Sequence, residues 1–283
     1  MRERIVIGGT ALEARWVGPR PPDAPTIVML HEGLGSVAQW RDFPEQLAAS
    51  TGYGVFLYSR AGYGGSDPVV LPRPLTYMHD EALDVLPRVL DAIGFERGIL
   101  LGHSDGASIA TIYAGGVRDP RVLGLVLIAP HFFVEAVGLA SIAEAKAAYE
   151  TGTLRERLAR YHGDNVDVAF WGWNRAWLDP EFEKWDIREY IGSIRVPMLI
   201  VQGSDDPYGT MAQVEAAQAA SHSPVEVAVI SGARHAAHIE RAAPTLSAIT
   251  AFVSPLTTAP PTPPRASAST PESAPAKPPP PTA

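Results

Sequence analysis

The chain has 283 residues, a formal net charge of −8 and no cysteine. Such an acidic chain has no excess of positive charge to neutralise phosphates, which argues against a nucleic-acid partner. The absence of cysteine excludes disulfides, thiolate catalysis and thiolate metal sites. No stretch approaches the roughly 18 apolar residues of a membrane span, and the N-terminus lacks a signal-peptide hydrophobic region. We therefore expect a soluble cytoplasmic protein that does not bind membranes.

The first apolar segments predict a β-hairpin, because Arg4–Ile7 and Ala11–Val17 flank the turn residues Gly8 and Gly9. Six further apolar runs follow, namely Thr26–Leu30, Val55–Tyr58, Ile99–Leu101, Val122–Ile128, Met198–Val201 and Val225–Ile230. Helical patterns between and after them cover Phe43–Ser50, Thr76–Ile93, Asp105–Tyr113 and Ala242–Val253. Continuous apolar strands alternating with helices predict an α/β fold: an eight-stranded, mostly parallel sheet with helices on both faces.

The predicted sheet is interrupted by a long segment without a clear strand, residues 131–196. Four of the six tryptophans lie in this segment: Trp171, Trp173, Trp177 and Trp185. We interpret it as a helical insertion that forms a lid over the carboxyl ends of the strands, where open α/β sheets bind ligands. The sheet domain is then formed by residues 1–130 and 197–254.

The last segment, residues 255–283, contains eleven of the 27 prolines and only one large aliphatic residue, Leu256. It cannot bury enough apolar surface to offset the entropy of ordering, so the composition predicts a disordered, partly polyproline II tail. A solvated extension without a partner is favoured over an SH3-type ligand.

The motif GHSDG, residues 102–106, lies between a predicted strand and a predicted helix. A serine flanked by glycines at such a junction is typical of a nucleophile elbow, a strained turn in which Ser104 would project from the edge of the sheet. The N-terminus of the following helix favours negative charge developing near Ser104.

A serine hydroxyl is a poor nucleophile without a base, and the base needs a carboxylate to orient it. Asp205 and Asp206 follow the predicted strand Met198–Val201, and His235 follows the next strand. The order serine, acid, histidine fits a catalytic triad. Spacing alone does not distinguish the two aspartates.

Over residues 3–254 the chain resembles the α/β-hydrolase superfamily of serine hydrolases. In that family a glycine, two residues and an aspartate mark the acid, so the resemblance of Gly203-Ser204-Asp205-Asp206 assigns this role to Asp206. GARHAAHIE maps the catalytic histidine onto His235 and places His238 at a position often held by an accessory residue.

Acyl transfer also requires N–H donors for the oxyanion. One is expected from the backbone of Asp105, and HEGLG resembles the family's H-G-x-x-G loop, which assigns the second to Gly33. Glu32 departs from this pattern. We expect its carboxylate to turn away from the oxyanion and to pair with Arg60; the alternative is that it binds or protonates a polar substrate group.

The pocket residues are less clearly marked. Phe132, Trp171, Trp173, Tyr208 and His238 are candidates for lining an apolar substrate pocket, although such aromatics commonly pack in a core. The spacing of His235, His238 and Glu240 lacks a metal-binding pattern, so neither a metal nor a cofactor is expected.

The sequence thus predicts a serine hydrolase that acts through an acyl-enzyme on a small, apolar carboxylic ester. Two alternatives remain open. The first is hydrolysis of a carbon–carbon bond in a vinylogous diketone. The second is a non-catalytic binding protein with the same fold. The expected partner is a small-molecule substrate, and the oligomeric state is left open.

Overall fold

The computed structural model describes residues 2–257. Its eight strands form one sheet in the order β1-β2-β4-β3-β5-β6-β7-β8. The strands are β1 (Arg2–Ile7), β2 (Thr10–Val17), β3 (Thr26–Leu30), β4 (Gly54–Tyr58), β5 (Gly98–His103), β6 (Val122–Ile128), β7 (Met198–Gly203) and β8 (Val225–Ile230). β2 pairs antiparallel with β1 and β4, and all other neighbouring pairs are parallel. The predicted α/β-hydrolase architecture is confirmed.

The α-helices flank this sheet and fill the long connection between β6 and β7. They are α1 (Phe43–Thr51), α2 (Tyr77–Asp80), α3 (Leu86–Ala92), α4 (Asp105–Gly116), α5 (Ala136–Thr151), α6 (Leu154–His162), α7 (Val166–Trp177), α8 (Arg188–Ile191), α9 (Met211–Ala220), α10 (Ala237–Glu240) and α11 (Ala242–Val253). Between residues 2 and 257 we find no helix whose length and apolar character would let it cross a membrane.

Two apolar layers cover the two faces of the sheet. Leu100 of β5 faces a layer that includes α4 and the helices after β6, whereas Ile99 and Leu101 face a layer that includes Trp40 and Phe252. This alternation follows from the period of two along a strand. Because both layers bury β5, the strand is apolar at successive positions, and this produced its continuous hydrophobic run in the sequence.

Several elements extend one to three residues beyond their predicted ends, and two regions differ from the sequence prediction in kind. The predicted helix Thr76–Ile93 is divided by a π-helical turn, Glu81–Val85, between α2 and α3. Residues of the predicted tail begin as a 3₁₀ turn, Ser254–Thr257, and Leu256 packs against the apolar layer that contains Phe252. The remainder of the predicted tail, residues 258–283, lies outside the described residues.

The carboxyl ends of four parallel strands bring the candidate residues to one edge of the sheet. β3 ends directly before His31, and β5 ends directly before Ser104. Asp206 follows β7 and His235 follows β8. Parallel strands share the same edge, so residues separated by more than 100 positions become neighbours there.

Strand β5 and helix α4 approach each other closely where the chain turns. A Cβ atom on Gly106 would lie 2.0 Å from the backbone oxygen of Leu30, and one on Gly102 would lie 2.2 Å from the backbone oxygen of Gly106. Backbone atoms cannot move aside as a flexible side chain can, so both positions require glycine.

We expect Gly106→Ala to lower the free energy of unfolding by about 1–3 kcal/mol or more, because the added methyl overlaps the β3 backbone. Urea denaturation followed by circular dichroism measures the change. Gly192→Ala is the matched control, since its Cβ would meet only the Ala220 oxygen at 3.4 Å. Equal stability of both variants would contradict this account.

Candidate functional site

Ser104 lies in the turn between β5 and α4 with φ 53° and ψ −118°. A non-glycine residue at positive φ carries strain of about 1–3 kcal/mol, which the surrounding structure must offset. The Ser104 N–H donates to the backbone oxygen of Ile128 at 2.9 Å, which fixes the turn against β6. Ser104 thus occupies a strained turn between a strand and a helix, and it lines a cavity.

The loops after β7 and β8 hold the second pair of candidate residues in contact. His235 Nδ1 lies 2.9 Å from both carboxylate oxygens of Asp206. The Asp206 carboxylate also accepts from the Tyr208 N–H at 2.9 Å and from the Gln202 side chain at 3.0 Å. With Nδ1–H donating to Asp206, His235 Nε2 is left with a free lone pair.

The electrostatic state of Asp206 follows from these contacts. Its side chain is 1 % exposed, and this burial opposes the charged form. The charge and hydrogen bond of His235, together with the Tyr208 N–H, outweigh burial and lower the pKa of Asp206 to about 2. Asp206 is therefore ionised throughout the neutral range.

The neighbouring Asp205 has a different environment. It is exposed and accepts a hydrogen bond from the Ser204 hydroxyl at 2.8 Å. Its N–H donates to the Ala233 oxygen at 2.9 Å, a contact that supports the loop before His235. Of the two aspartates, only Asp206 contacts the His235 ring.

Two residues whose backbone N–H groups have no protein acceptor in the described part of the chain line the same cavity. Gly33 and Asp105 both line it, and within residues 2–257 neither N–H donates to another protein group. Asp105 is the first residue of α4, where N–H groups have no partner in the helix. The Trp173 ring packs so closely on Gly33 that a Cβ there would lie 2.2 Å from it.

Arg60 holds the loop that carries Gly33, but not through the predicted ion pair. Its guanidinium donates to the backbone oxygens of His31 and, at 3.0 Å, Glu32. The Glu32 carboxylate lies instead against the ring of His103, with 3.4 Å between Oε2 and Nδ1. Backbone carbonyls are closer to the guanidinium than the carboxylate is, so the predicted Arg60–Glu32 side-chain pair is corrected.

His103 connects Glu32 to the candidate base. Its Nε2–H donates to the backbone oxygen of His235 at 2.9 Å while its Nδ1 faces Glu32. Burial raises the pKa of the Glu32 carboxyl, but the hydrogen bond and charge of His103 lower it further, to well below the usual range. Glu32 is thus a fixed negative charge beside the cavity.

The side chain of Asp105 lies in a buried polar cluster. It accepts from the Tyr77 hydroxyl at 2.5 Å and from Trp177 Nε1 at 3.3 Å, and Arg60 lies 4.0 Å away. Burial raises the pKa of Asp105, against the opposing effects of Arg60, Tyr77 and Trp177. The cluster ties α7 to the N-terminus of α4.

The cavity beside Ser104 has a volume of about 90 Å³. Its lining comprises Glu32, Gly33, Leu34, Ser104, Asp105, His131, Ile142, Trp173, Trp177, Tyr208 and His235. Of the five predicted pocket residues, Trp173 and Tyr208 are present here. Ile142, Trp173 and Trp177 come from the segment between β6 and β7, which forms one wall.

The other three predicted pocket residues lie elsewhere. Phe132 is fully buried in the core, where its N–H donates to Gln213 at 2.7 Å. Trp171 packs edge-on against Tyr149. His238 is buried against Trp40, with ring centroids 4.7 Å apart, and lines a separate cavity. For these residues the expectation of lining the pocket beside Ser104 is corrected.

Sequence reasoning missed His131 and Gln202. The His131 ring lies between His235 and Trp177, with centroids 5.6 and 5.4 Å away, and burial and the His235 charge lower its pKa to about 3. His131 therefore stays neutral at ordinary pH. The position of His131 just after the apolar run that ends at Ile128 could have marked it as a site residue. Gln202 lies inside a strand, and nothing in the sequence marked it.

Comparisons with known proteins agree with the fold. The model of the alpha/beta hydrolase family matches residues 27–248. The chain belongs to this family. It is 26 % identical over 209 residues to the 2-hydroxy-6-oxo-6-phenylhexa-2,4-dienoate hydrolase of Comamonas testosteroni, covering 64 % of this chain and 71 % of the relative. Family and relatives support hydrolase activity.

Two further similar proteins match most of the chain. The 3-oxoadipate enol-lactonase 1 of Acinetobacter baylyi is 25 % identical over 254 residues, 82 % of this chain and 90 % of the relative. The crystal structure of an esterase from Rhodococcus sp. ECU1013 superposes with a TM-score of 0.69 at 21 % identity, covering 90 % of this chain and 98 % of the other. At this identity the structural likeness supports the fold alone.

The lowered pKa of Asp206 predicts how stability depends on pH. The folded pKa of about 2 lies below the unfolded value of about 3.9, so ionised Asp206 contributes stability that is present above about pH 4 and lost as the pH falls toward 2. Over that interval we expect the free energy of unfolding to fall more steeply in the native chain than in Asp206→Asn. Urea denaturation at half-unit pH steps measures how the free energy of unfolding of each protein depends on pH. The same pH dependence in both proteins would contradict the lowered pKa of Asp206.

Proposed function

We propose that the protein is a serine hydrolase that cleaves a small carboxylic ester through a covalent acyl-enzyme. In this proposal Ser104 is the nucleophile, His235 the base and Asp206 the acid of the triad. The observation that carries it is the contact of His235 Nδ1 with Asp206 at 2.9 Å, with His235 and Ser104 lining one cavity.

The first step is attack of Ser104 Oγ on the ester carbonyl. His235 Nε2 accepts the Ser104 proton as the new C–O bond forms, and Asp206 stabilises the resulting imidazolium. The N–H groups of Gly33 and Asp105 donate to the oxyanion. Collapse of the tetrahedral intermediate breaks the bond to the leaving alkoxide, which takes the proton from His235.

The second step releases the acyl group. Water attacks the acyl-enzyme carbonyl and gives a proton to His235 Nε2. The intermediate then breaks the bond to Ser104 Oγ, which regains its proton from His235, and the carboxylic acid leaves. The net reaction consumes one ester and one water and releases one alcohol and one carboxylic acid, so it requires no cofactor.

The cavity supports a small substrate group at the reacting carbon. A volume of about 90 Å³ corresponds to about three waters in the liquid, enough for a short acyl chain. Apolar surface predominates in its lining, with Trp173 and Trp177 on one wall. We further propose that residues 131–196 act as a lid, because this segment supplies that wall.

A second candidate is hydrolysis of a carbon–carbon bond in a vinylogous diketone. The name of the Comamonas testosteroni relative, a hydroxy-oxo-phenylhexadienoate hydrolase, favours it. Parallel assays with p-nitrophenyl esters of rising chain length and with a vinylogous diketone distinguish the two. The larger kcat/KM identifies the activity, and the chain-length profile reports the size of the pocket.

We expect Ser104→Ala to lower turnover of p-nitrophenyl esters by about 10³-fold or more while leaving the thermal unfolding temperature within a few degrees, since only the nucleophile is lost. A fluorophosphonate probe should label the native chain at Ser104 and leave Ser104→Ala unlabelled. Ser108→Ala is a control serine variant on the same helix, and it should still be labelled. A folded native chain that resists labelling would instead favour a non-catalytic binding protein.

The two adjacent aspartates provide a matched test of the acid. We expect Asp206→Asn to lower kcat by about 10³- to 10⁴-fold, because an amide no longer stabilises the imidazolium. Asp205→Asn should stay within about threefold of the native rate, since Asp205 does not contact the His235 ring. Steady-state kinetics on one ester measures both, and a larger loss in Asp205→Asn would overturn the assignment of Asp206.

A further inference from the structure

A second cavity has a volume of about 280 Å³. Glu32 lines both this cavity and the cavity beside Ser104. The lining comprises Glu32, Gln39, Arg41, His103, Leu154, Arg157, Leu158, Arg160, Tyr161, Ala236, His238 and Ile239. None of the triad residues is among them, so the catalytic proposal leaves this cavity without a role.

Three arginines around this cavity have no acidic partner. Arg41, Arg157 and Arg160 form no ion pair within residues 2–257. Arg155, on the same helix but outside the cavity, is paired with Asp167 at 2.6 Å. The three guanidinium groups are exposed, and they outnumber the single Glu32 carboxylate, so the charged residues that line this cavity are on balance positive.

The helix dipole does not explain this arrangement. Of the two arginines on α6, only Arg160 lies in the last turn, where a positive charge gains about 0.3–1 kcal/mol; Arg157 lies earlier in the helix. Arg41, however, lies between a 3₁₀ turn and α1, far from α6 in the sequence. Two separate segments therefore supply positive charge to the same cavity.

One buried nitrogen atom at this cavity also lacks a partner in the described part of the chain. Nδ1 of His238 has no hydrogen-bond partner within residues 2–257, and the residue is only 3 % exposed. An unsatisfied buried polar group costs about 1–3 kcal/mol. In the tautomer that carries its proton on Nδ1, His238 would donate to a carboxylate oxygen in the cavity, which would offset this cost.

A metal ion is not the ligand that this arrangement favours. In the part of the chain that the structure describes, no group of three His, Cys, Asp or Glu side chains is arranged to hold one. The three guanidinium groups would also repel a cation. Planar guanidinium forks fit a carboxylate, which they can bind through two parallel hydrogen bonds.

We propose that this cavity binds a carboxylate at the far end of the substrate, so that the preferred substrates are monoesters of short dicarboxylic acids. The inference rests on the proposed ester hydrolysis at Ser104. The substrate chain would pass Glu32, whose negative charge keeps the carboxylate on the arginine side and the ester carbonyl at Ser104. Glu32 thereby sets the direction in which the substrate binds.

Two esters of equal chain length test the proposal. p-Nitrophenyl hemiglutarate carries a carboxylate where p-nitrophenyl valerate carries a methyl group. We expect the native chain to favour the hemiglutarate by about tenfold in kcat/KM, and this preference to fall as ionic strength rises. In Arg157→Gln/Arg160→Gln the preference should fall about tenfold, mainly through KM. A native chain that favours the valerate would overturn the proposal.

Arg155→Gln is the matched control, because it removes the same charge from the same helix but outside the cavity. Arg155→Gln should keep the native preference for the hemiglutarate. If it loses as much of that preference as Arg157→Gln/Arg160→Gln does, the preference comes from the overall charge of the protein, which would overturn the site. If valerate is hydrolysed and Ser104 is labelled but the preference is absent, the proposed function stands and the carboxylate site fails.

A binding measurement tests the site without turnover. Glutarate should raise the thermal unfolding temperature of Ser104→Ala, and the rise should be lost when Arg157→Gln and Arg160→Gln are added to it. The rise should persist when Arg155→Gln is added instead. No rise with glutarate would overturn the site whether or not the chain hydrolyses esters.

Discussion

The close approach of α4 to β3 constrains the whole site. Because Gly106 packs directly on the Leu30 backbone, the chain must turn sharply between β5 and α4, and Ser104 takes a positive φ. The same turn places Asp105, the first residue of α4, in the lining of the cavity. The strained turn therefore brings Ser104 to the cavity, and the apolar layers on both faces of β5 hold the turn in place.

The side chain of Asp105 extends this constraint to the rest of the molecule. It contacts Tyr77, Trp177 of α7 and, at 4.0 Å, Arg60, which in turn holds the loop carrying Gly33. A single buried polar cluster thus connects the start of α4, the loop that carries Gly33 and the wall of the cavity that α7 forms. A buried carboxylate with three donors around it has little freedom to rearrange, so the cavity is largely preorganised.

Those features of the site that depend on strand ends could be predicted from the sequence. Ser104, Asp206 and His235 each follow an apolar run, and parallel strands bring such positions to one edge. Contacts made by backbone carbonyls could not be predicted. Arg60 binds carbonyl oxygens, which no residue pattern marks, and so Glu32 was free to contact His103. Ion pairs predicted from the sequence alone therefore fail where a backbone carbonyl competes with the carboxylate for the guanidinium.

The sequence by itself determined the fold, because hydrophobic runs and their turns depend only on local spacing and on burial of both faces of the sheet. It also determined the serine turn, since the glycines on both sides of it allow β5, α4 and β3 to approach closely there. Only the tertiary structure decided that Trp173 borders the cavity while Trp171 packs against Tyr149, because successive helical positions look alike in composition. It alone placed Arg41 and α6 around one cavity, since these residues lie more than 100 positions apart in the sequence.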